Sequence, residues 1–361
     1  MGLFKRKNNE KDNTEPAGPV QEQVNSADDS QHINDISNRF ILGTDWSDKD
    51  VFALPIQDIC VLIKNATWAQ EKQIFADIDG KMEGKINTFY KILVEKMNTS
   101  DILYTIIDEA TGYPFIDENT QNCIWLFSRK EYADHAADYF GQQYRRFRIE
   151  EVKSGERKEF LGEMFYMIGA AGVYMDNGLA GCMIKREDIL KAPDWTGIPG
   201  ISVPVLNPDF MLARLKMAQE LGWQVQYENR EQKLDSLETK LGSQSIHARF
   251  LVPVKGMPQQ KETVSTLTLE KDTKISFPIL TGKDGSSAIP AFADWKQFRM
   301  CYSDKEYGGL ILSFDDLAAM VMHGKGHDAF VINPGKCPLE VNAKSMERMR
   351  AVLASAESEK E

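Results

Sequence analysis

One succession of apolar runs and turn residues occurs twice in this chain, and that leaves few folds open. In the first half Tyr113-Pro114-Phe115-Ile116 leads through a polar turn at Asp117 to Asn122 into Cys123-Ile124-Trp125-Leu126-Phe127, then Ser128-Arg129-Lys130-Glu131-Tyr132. In the second, Phe277-Pro278-Ile279-Leu280 leads through Thr281-Gly282-Lys283-Asp284-Gly285 into Ala288-Ile289-Pro290-Ala291-Phe292, then Asp294-Trp295-Lys296-Gln297-Phe298. Each reads as strand, tight turn, strand, helix. Ser128 with Glu131, and Asp294 with Gln297, have the spacing of a capping box, which satisfies orphan amides at a helix start. Phe147-Arg148-Ile149 and Leu310-Ile311-Leu312 then correspond as third strands. A helix follows each, over about Arg157 to Ile168 and about Phe314 to Met322, and Ser313 with Asp316 caps the latter. Gly172 to Gly178 and Ala329 to Gly335 close the copies as apolar strands ending in Asn-containing turns. Pro114 to Asn177 spans 63 residues and Pro278 to Asn333 spans 55. The difference predicts an insertion in the charged hairpin Arg145 to Lys158, where a surface loop absorbs length at little cost.

The fold class expected is therefore α+β: two related domains, each a small mixed sheet with flanking helices, preceded by a disordered tail. Residues 1–38 are polar and poor in large apolar side chains, and read as that tail. Residues 39–193 form the first domain, 194–208 a Pro/Gly-rich connection that no long helix can cross, and 209–346 the second domain. Residues 347–361 continue a charged C-terminal helix or tail that starts near Lys344. Within the first domain, Ile86, Phe89, Tyr90, Leu93 and Met97 share one helical face. Leu234, Leu237 and Leu241 mark another amphipathic helix in the second.

The motifs of the second copy carry a resemblance. Phe277 to Gly285, Ile289-Pro290-Ala291-Phe292-Ala293-Asp294-Trp295, Ser313-Phe314-Asp315-Asp316-Leu317-Ala318 and Val331-Ile332-Asn333-Pro334-Gly335 together resemble the SseB N-terminal domain family of bacterial proteins. The similarity covers residues 248–346, with a divergent copy at about 102–190 in which Asp176-Asn177-Gly178 replaces Asn-Pro-Gly. The resemblance implies a small α+β domain and brings no catalytic mechanism with it.

Reactive constellations are scarce. His323, His327 and Asp328 have metal-ligating side chains, but histidines four apart share a face only on a helix, and Gly324 and Gly326 favour a helix end. Gly324 to Ala329 spells a dinucleotide fingerprint in the wrong context, leaving a helix and opening a strand. Gly282-Lys283-Asp284-Gly285 lacks the P-loop spacing and reads as a hairpin turn. Asp77-Ile78-Asp79-Gly80 lacks the glycine and glutamate that a calcium loop needs. Asp315 and Asp316 complement a helix N-terminus. Arg145-Arg146-Phe147-Arg148 is a basic-aromatic patch followed at once by Glu150 and Glu151, as on one face of a solvated hairpin. No catalytic, cofactor-binding or metal-ligating residue is assigned, and no cofactor is expected.

A net charge of −11 argues against nucleic acid as a partner. Five dispersed cysteines without a C-x-x-C pair fit a reducing, cytoplasmic setting. No run of 18 apolar residues spans a bilayer, and Arg6 stands where myristoylation requires Ser or Thr. The expectation is a non-enzymatic interaction or regulatory protein with protein partners. The alternatives are a metal-assisted hydrolase centred on His323, His327 and Asp328, and a peripheral membrane adaptor using Leu3 to Lys7.

Overall fold

The computed structural model describes residues 27–73, 81–198, 203–255, 276–324 and 327–349. The basic segment Leu3 to Lys7 and the segment Asp77 to Gly80 lie outside the described residues. Four helices open the chain: α1 (Ala27–Ser37), continued by a π-helical turn at Asn38–Leu42, α2 (Asp48–Ala53), α3 (Ile56–Glu71) and α4 (Lys81–Thr99). α3 buries Ile56 to Ile63, Ala66 and Ala69 and packs against α1 and α4, with Lys64 and Trp68 exposed. Residues 27–38, expected in the tail, are instead helical. Ile33, Ile36, Phe40 and Ile41 recur at helical spacing and pack into the core, and His32 Nε2 lies 3.0 Å from Asp58 Oδ1 of α3. Averaged composition concealed this short stripe, which is helical because α3 offers it a surface.

Two sheets with one topology follow. In the first half β1 (Ile102–Asp108) pairs antiparallel with β4 (Phe147–Lys153), while β2 (Ile116–Asp117), β3 (Cys123–Leu126), β5 (Gly172–Met175) and β6 (Cys182–Lys185) form a sheet in the order β2-β3-β5-β6. Its helices are α5 (Lys130–Gln142), α6 (Ser154–Gly162), which runs on into a π-helical turn at Glu163–Met167, and α7 (Arg186–Ile189). α8 (Pro208–Gly222) and α9 (Arg230–His247) lead into the second half. There β7 (Arg249–Lys255) pairs with β10 (Tyr307–Ser313), and β8 (Leu280–Thr281), β9 (Ser287–Ala291), β11 (Ala329–Ile332) and β12 (Leu339–Asn342) adopt the order β8-β9-β11-β12. α10 (Trp295–Cys301) and α11 (Phe314–His323) flank them, and a helix over 343–349 follows β12. In both sheets the central pair is parallel and the outer pairs antiparallel. A bridge at Tyr104 and Phe127, matched by one at Leu251 and Phe292, joins each two-stranded ladder to its sheet.

The extra length of the first half is not in the Arg145 to Lys158 hairpin, because β4 and β10 each have seven residues paired along their whole length. It lies in α5, 13 residues against seven in α10, and between β4 and β5, where the π-turn sits. An insertion inside a ladder would shift its register, whereas a helix lengthens without disturbing its neighbours.

Residues 190–198 and 203–207 have no regular structure. Asn207 ends this connection by donating to Arg249 O and Ala293 O, both at 2.7 Å, and Pro208 takes the first turn of α8. α8 then touches both halves. Lys216 donates to Asn122 Oδ1 at 3.0 Å on one side; on the other, Phe210 meets Phe250 edge-on and Asn333 Nδ2 donates to Met211 Sδ at 3.3 Å. One contiguous core includes Phe89, Phe165 and Ile184 of the first half, Met211 and Leu215 of α8, and Phe314 and Phe330 of the second. Among the described residues no helix is long and apolar enough to cross a membrane.

Met211 is almost fully buried, so Met211→Ala is expected to lower stability by about 2–4 kcal/mol through lost burial and a residual cavity. Amide exchange should accelerate in β5 and β11 together; acceleration in β11 alone would show that α8 does not couple the halves.

Candidate functional site

The motif residues of the second half are structural. Asp294 accepts from Gln297 N at 2.8 Å, and Ser313 and Asp316 complete a reciprocal capping box. The Gln297 side chain does not return to the cap; its Nε2 donates to Tyr113 OH of the first half at 2.7 Å. Asn333, in the left-handed region at φ 52°, ends β11 by accepting from Ala293 N at 2.9 Å. Pro334 and Gly335 complete the turn.

Asp176 occupies the equivalent position in the first half, at φ 56°. Its carboxylate accepts from Ser128 N and Ser128 Oγ, both at 2.6 Å, tying the end of β5 to the end of β3. Ser128 is therefore not a helix cap: α5 starts at Lys130 after Arg129, without a side-chain cap bond. A buried carboxylate 48 residues away outcompetes the local box. Asp176 has no exposed surface, and burial raises its pKa to about 6, against the lowering effect of the two Ser128 bonds.

The folded state thus holds a proton on Asp176 more tightly than the unfolded chain, whose carboxyl titrates near 3.9. Stability from this group is fullest below about pH 4 and falls as pH rises to about 6, by roughly 2–3 kcal/mol. Asp176→Asn keeps an oxygen for Ser128 N and turns an amide toward Ser128 Oγ. It is expected to match the parent in thermal melts at pH 4 and exceed it by about 1–3 kcal/mol at pH 7.5. Equal differences at both pH values would exclude titration of Asp176 as the cause.

A cleft of about 520 Å³ opens where the connection crosses between the halves. Gly162, Glu163, Tyr166 and Met167 form one wall; Leu190, Trp195 and Pro204 to Leu206 form the base; Asp294, Trp295 and Lys296 face them from the second half. The first wall is the π-turn, closed by Ile168 N donating to Glu163 O at 3.0 Å. Such turns place side chains where a regular helix would not. Tyr166 OH donates to Leu190 O, and Lys296 Nζ crosses the rim to Glu163 Oε2 at 2.7 Å. Trp295 packs on Phe298, with the Arg299 guanidinium 4.9 Å from its ring centre. Lys158 and Lys191 are exposed beside the opening. The interior is apolar and its charges sit at the rim, an arrangement that takes up apolar side chains and holds no nucleophile beside a base.

The residues considered for metal are not brought together. Asp328 Oδ2 accepts from Ser287 N at 2.9 Å and Asp328 N donates to Ser287 O at 2.8 Å, so this side chain fastens β11 to β9. His323 ends α11, exposed, and His327 is half-buried with Nδ1 unpartnered. Among the described residues no group of three or more His, Cys, Asp or Glu is placed to hold a metal ion. All five cysteines are free; burial pushes the Cys123 and Cys182 thiols up to about 12, away from reactive thiolate. Gly282 to Gly285 forms the hairpin turn between β8 and β9, with Gly285 N donating to Gly282 O at 3.1 Å.

With α9, the second sheet, its caps and the Asn333 turn in view, the comparison with known families is decisive for one part of the chain. Residues 233–347 match the model of the SseB protein N-terminal domain. Over this stretch the chain is similar to an SseB N-terminal domain. The match begins inside α9, earlier than the expected Ala248, and Leu241 of that helix shares one core with Met346 and Met349. No curated protein and no solved structure matches the chain.

Sequence reasoning missed the cleft. Its walls come from residues 158–167, 190–195, 204–206 and 294–296, and only two tryptophans near irregular segments, Trp195 and Trp295, hint at it.

Proposed function

We propose that this is a non-enzymatic SseB-like binding protein of the bacterial cytoplasm, whose first half is a divergent copy of the SseB fold, and whose junction cleft receives an apolar side chain of a protein partner. The cleft carries this reading: an apolar interior, a charged rim and aromatic walls are the composition of an anchoring pocket. The matching strand order and pairing of the two sheets, with Asp176 standing for Asn333, supports the copy. The unpaired cysteines support the compartment. A net charge of −11 steers a partner with basic surface around its anchor, an attraction that weakens as salt screens it.

The test places a photo-crosslinking residue at Trp195, which is 37% exposed in the cleft, and as a control at Trp68, 43% exposed on α3. A partner captured from position 195 and not from 68, less at raised salt and equally by the full chain and by residues 27–361, is the expected result. Capture that requires residues 1–26 would move the function to the N-terminal segment and favour the membrane adaptor. Stoichiometric zinc with hydrolytic turnover, lost in His323→Ala/His327→Ala, would replace binding by the metal-assisted reading.

A further inference from the structure

A second cavity, sharing no residue with the cleft, is lined by a guanidinium one of whose nitrogens is buried without a hydrogen-bond partner. α5 ends in a left-handed turn at Tyr144 (φ 63°), closed by Arg145 N donating to Phe140 O at 3.0 Å. Glycine is usual there, so the chain accepts strain at a tyrosine to turn Arg145 inward. Arg145 therefore does not belong to the solvated face expected of the Arg145 to Arg148 patch. Arg146 and Arg148 do: both are exposed, and Arg148 pairs with Glu150 at 2.7 Å.

The Arg145 guanidinium lies 4.0 Å from the Trp223 ring centre and 5.3 Å from that of Phe115, and its Nη1 is buried without a hydrogen-bond partner. Three carboxylates lie near enough to act on it, and each also holds a partner of its own. Asp108 accepts from Thr111 N at 2.9 Å, Asp117 Oδ1 from Asn119 N at 2.9 Å, and Glu220 pairs with Arg230 at 3.2 Å. Burial lowers the Arg145 pKa while these carboxylates act to raise it. Asp117 is 4% exposed; its Oδ2 and the Trp125 Nε1 beside it do not complete a full hydrogen bond, although the indole draws the Asp117 pKa down against the raising effect of burial. A buried charge with open hydrogen-bonding positions is costly, and a native fold that keeps one keeps it for something that answers it.

The cavity between these groups is about 60 Å³, with Ile116, Phe140 and Leu237 as its apolar wall. At the mouth Glu118 holds both Lys216 (2.5 Å) and Lys233 (2.9 Å). A lone anion would meet Asp117, Glu118 and Glu220; a lone cation would meet Arg145, Lys216 and Lys233. A molecule with both charges meets neither conflict. Allowing about 15 Å³ per water, the space takes about four waters, the room of some five or six heavy atoms. We propose that this cavity binds a small zwitterion, a short-chain α-amino acid, with its carboxylate on the open edge of Arg145 and its ammonium toward Asp117. The planar fork of Arg145, stacked on Trp223, presents paired donors to a carboxylate.

Calorimetric titration of the full chain with glycine, L-alanine, L-leucine, acetate and methylamine tests this. Saturable one-to-one binding of alanine is expected, with acetate, methylamine and leucine at least about tenfold weaker. Arg145→Lys, which keeps the charge and loses the fork, should weaken alanine at least about tenfold. Asp117→Asn should weaken alanine at least about fivefold and leave acetate no weaker. Circular dichroism confirms that each variant is folded, and Asp117→Asn carries the test if Arg145→Lys is not. Absence of alanine binding at 20 mM, a concentration about twentyfold above a 1 mM site, overturns the proposal. So does acetate binding as tightly as alanine, or alanine affinity unchanged in the folded variants.

Discussion

The burial of α8 between the halves is the constraint on which the rest of the molecule depends. Neither four-stranded sheet is wide enough to enclose a core alone, and each leaves apolar surface that another element must cover. α8 meets this need for both: Phe210 and Met211 go to the second half, while Lys216 and Gln219 reach the first. The Gln219 amide, oriented to satisfy both of its groups, accepts from Ile116 N at 3.1 Å and donates to Ile116 O at 3.3 Å, serving the edge strand β2 as another strand would. Gln297 to Tyr113 and Lys336, 3.6 Å from the Tyr113 ring centre, add polar contacts across the same junction. The cleft and the Arg145 cavity both exist because the halves are held at this fixed spacing.

The family motif in this chain is a set of fastenings. Asn333 and Asp176 each end a central strand in a left-handed residue and reach across to the backbone of its parallel neighbour. Parallel strands have no hairpin to set their ends level, so a short polar side chain that tolerates positive φ takes over that work. This explains why Asn and Asp stand at these positions. The amide at 333 does so as a neutral group, whereas the carboxylate at 176 must be desolvated.

Much of the fold was legible because its signals are local. Alternation marked the strands, and Ser313 with Asp316 is a pattern that closes between residues three apart in sequence. The same locality misled at Ser128, whose partner lies on another strand. It misled again at α1, where a stripe of four apolar residues gains meaning only once α3 is present. Arg145 reads as one of a run of exposed arginines until the left-handed Tyr144 separates it from Arg146 and Arg148. The candidate sites were the least legible part, since each is assembled from segments that sequence keeps far apart.

The π-turn at Glu163–Met167 adds one residue to a turn without adding a turn to the helix. A residue inserted in an α-helix displaces all that follows by about 100° around the axis, and a π-turn confines that displacement to its own five residues. The strand β5 beyond it therefore keeps its register while Tyr166 and Met167, both half-buried, line the cleft. The two halves differ here: α11 is α-helical from Phe314 to His323, whereas the first half lines the cleft with π-helical residues, opposite Trp295 of the second half.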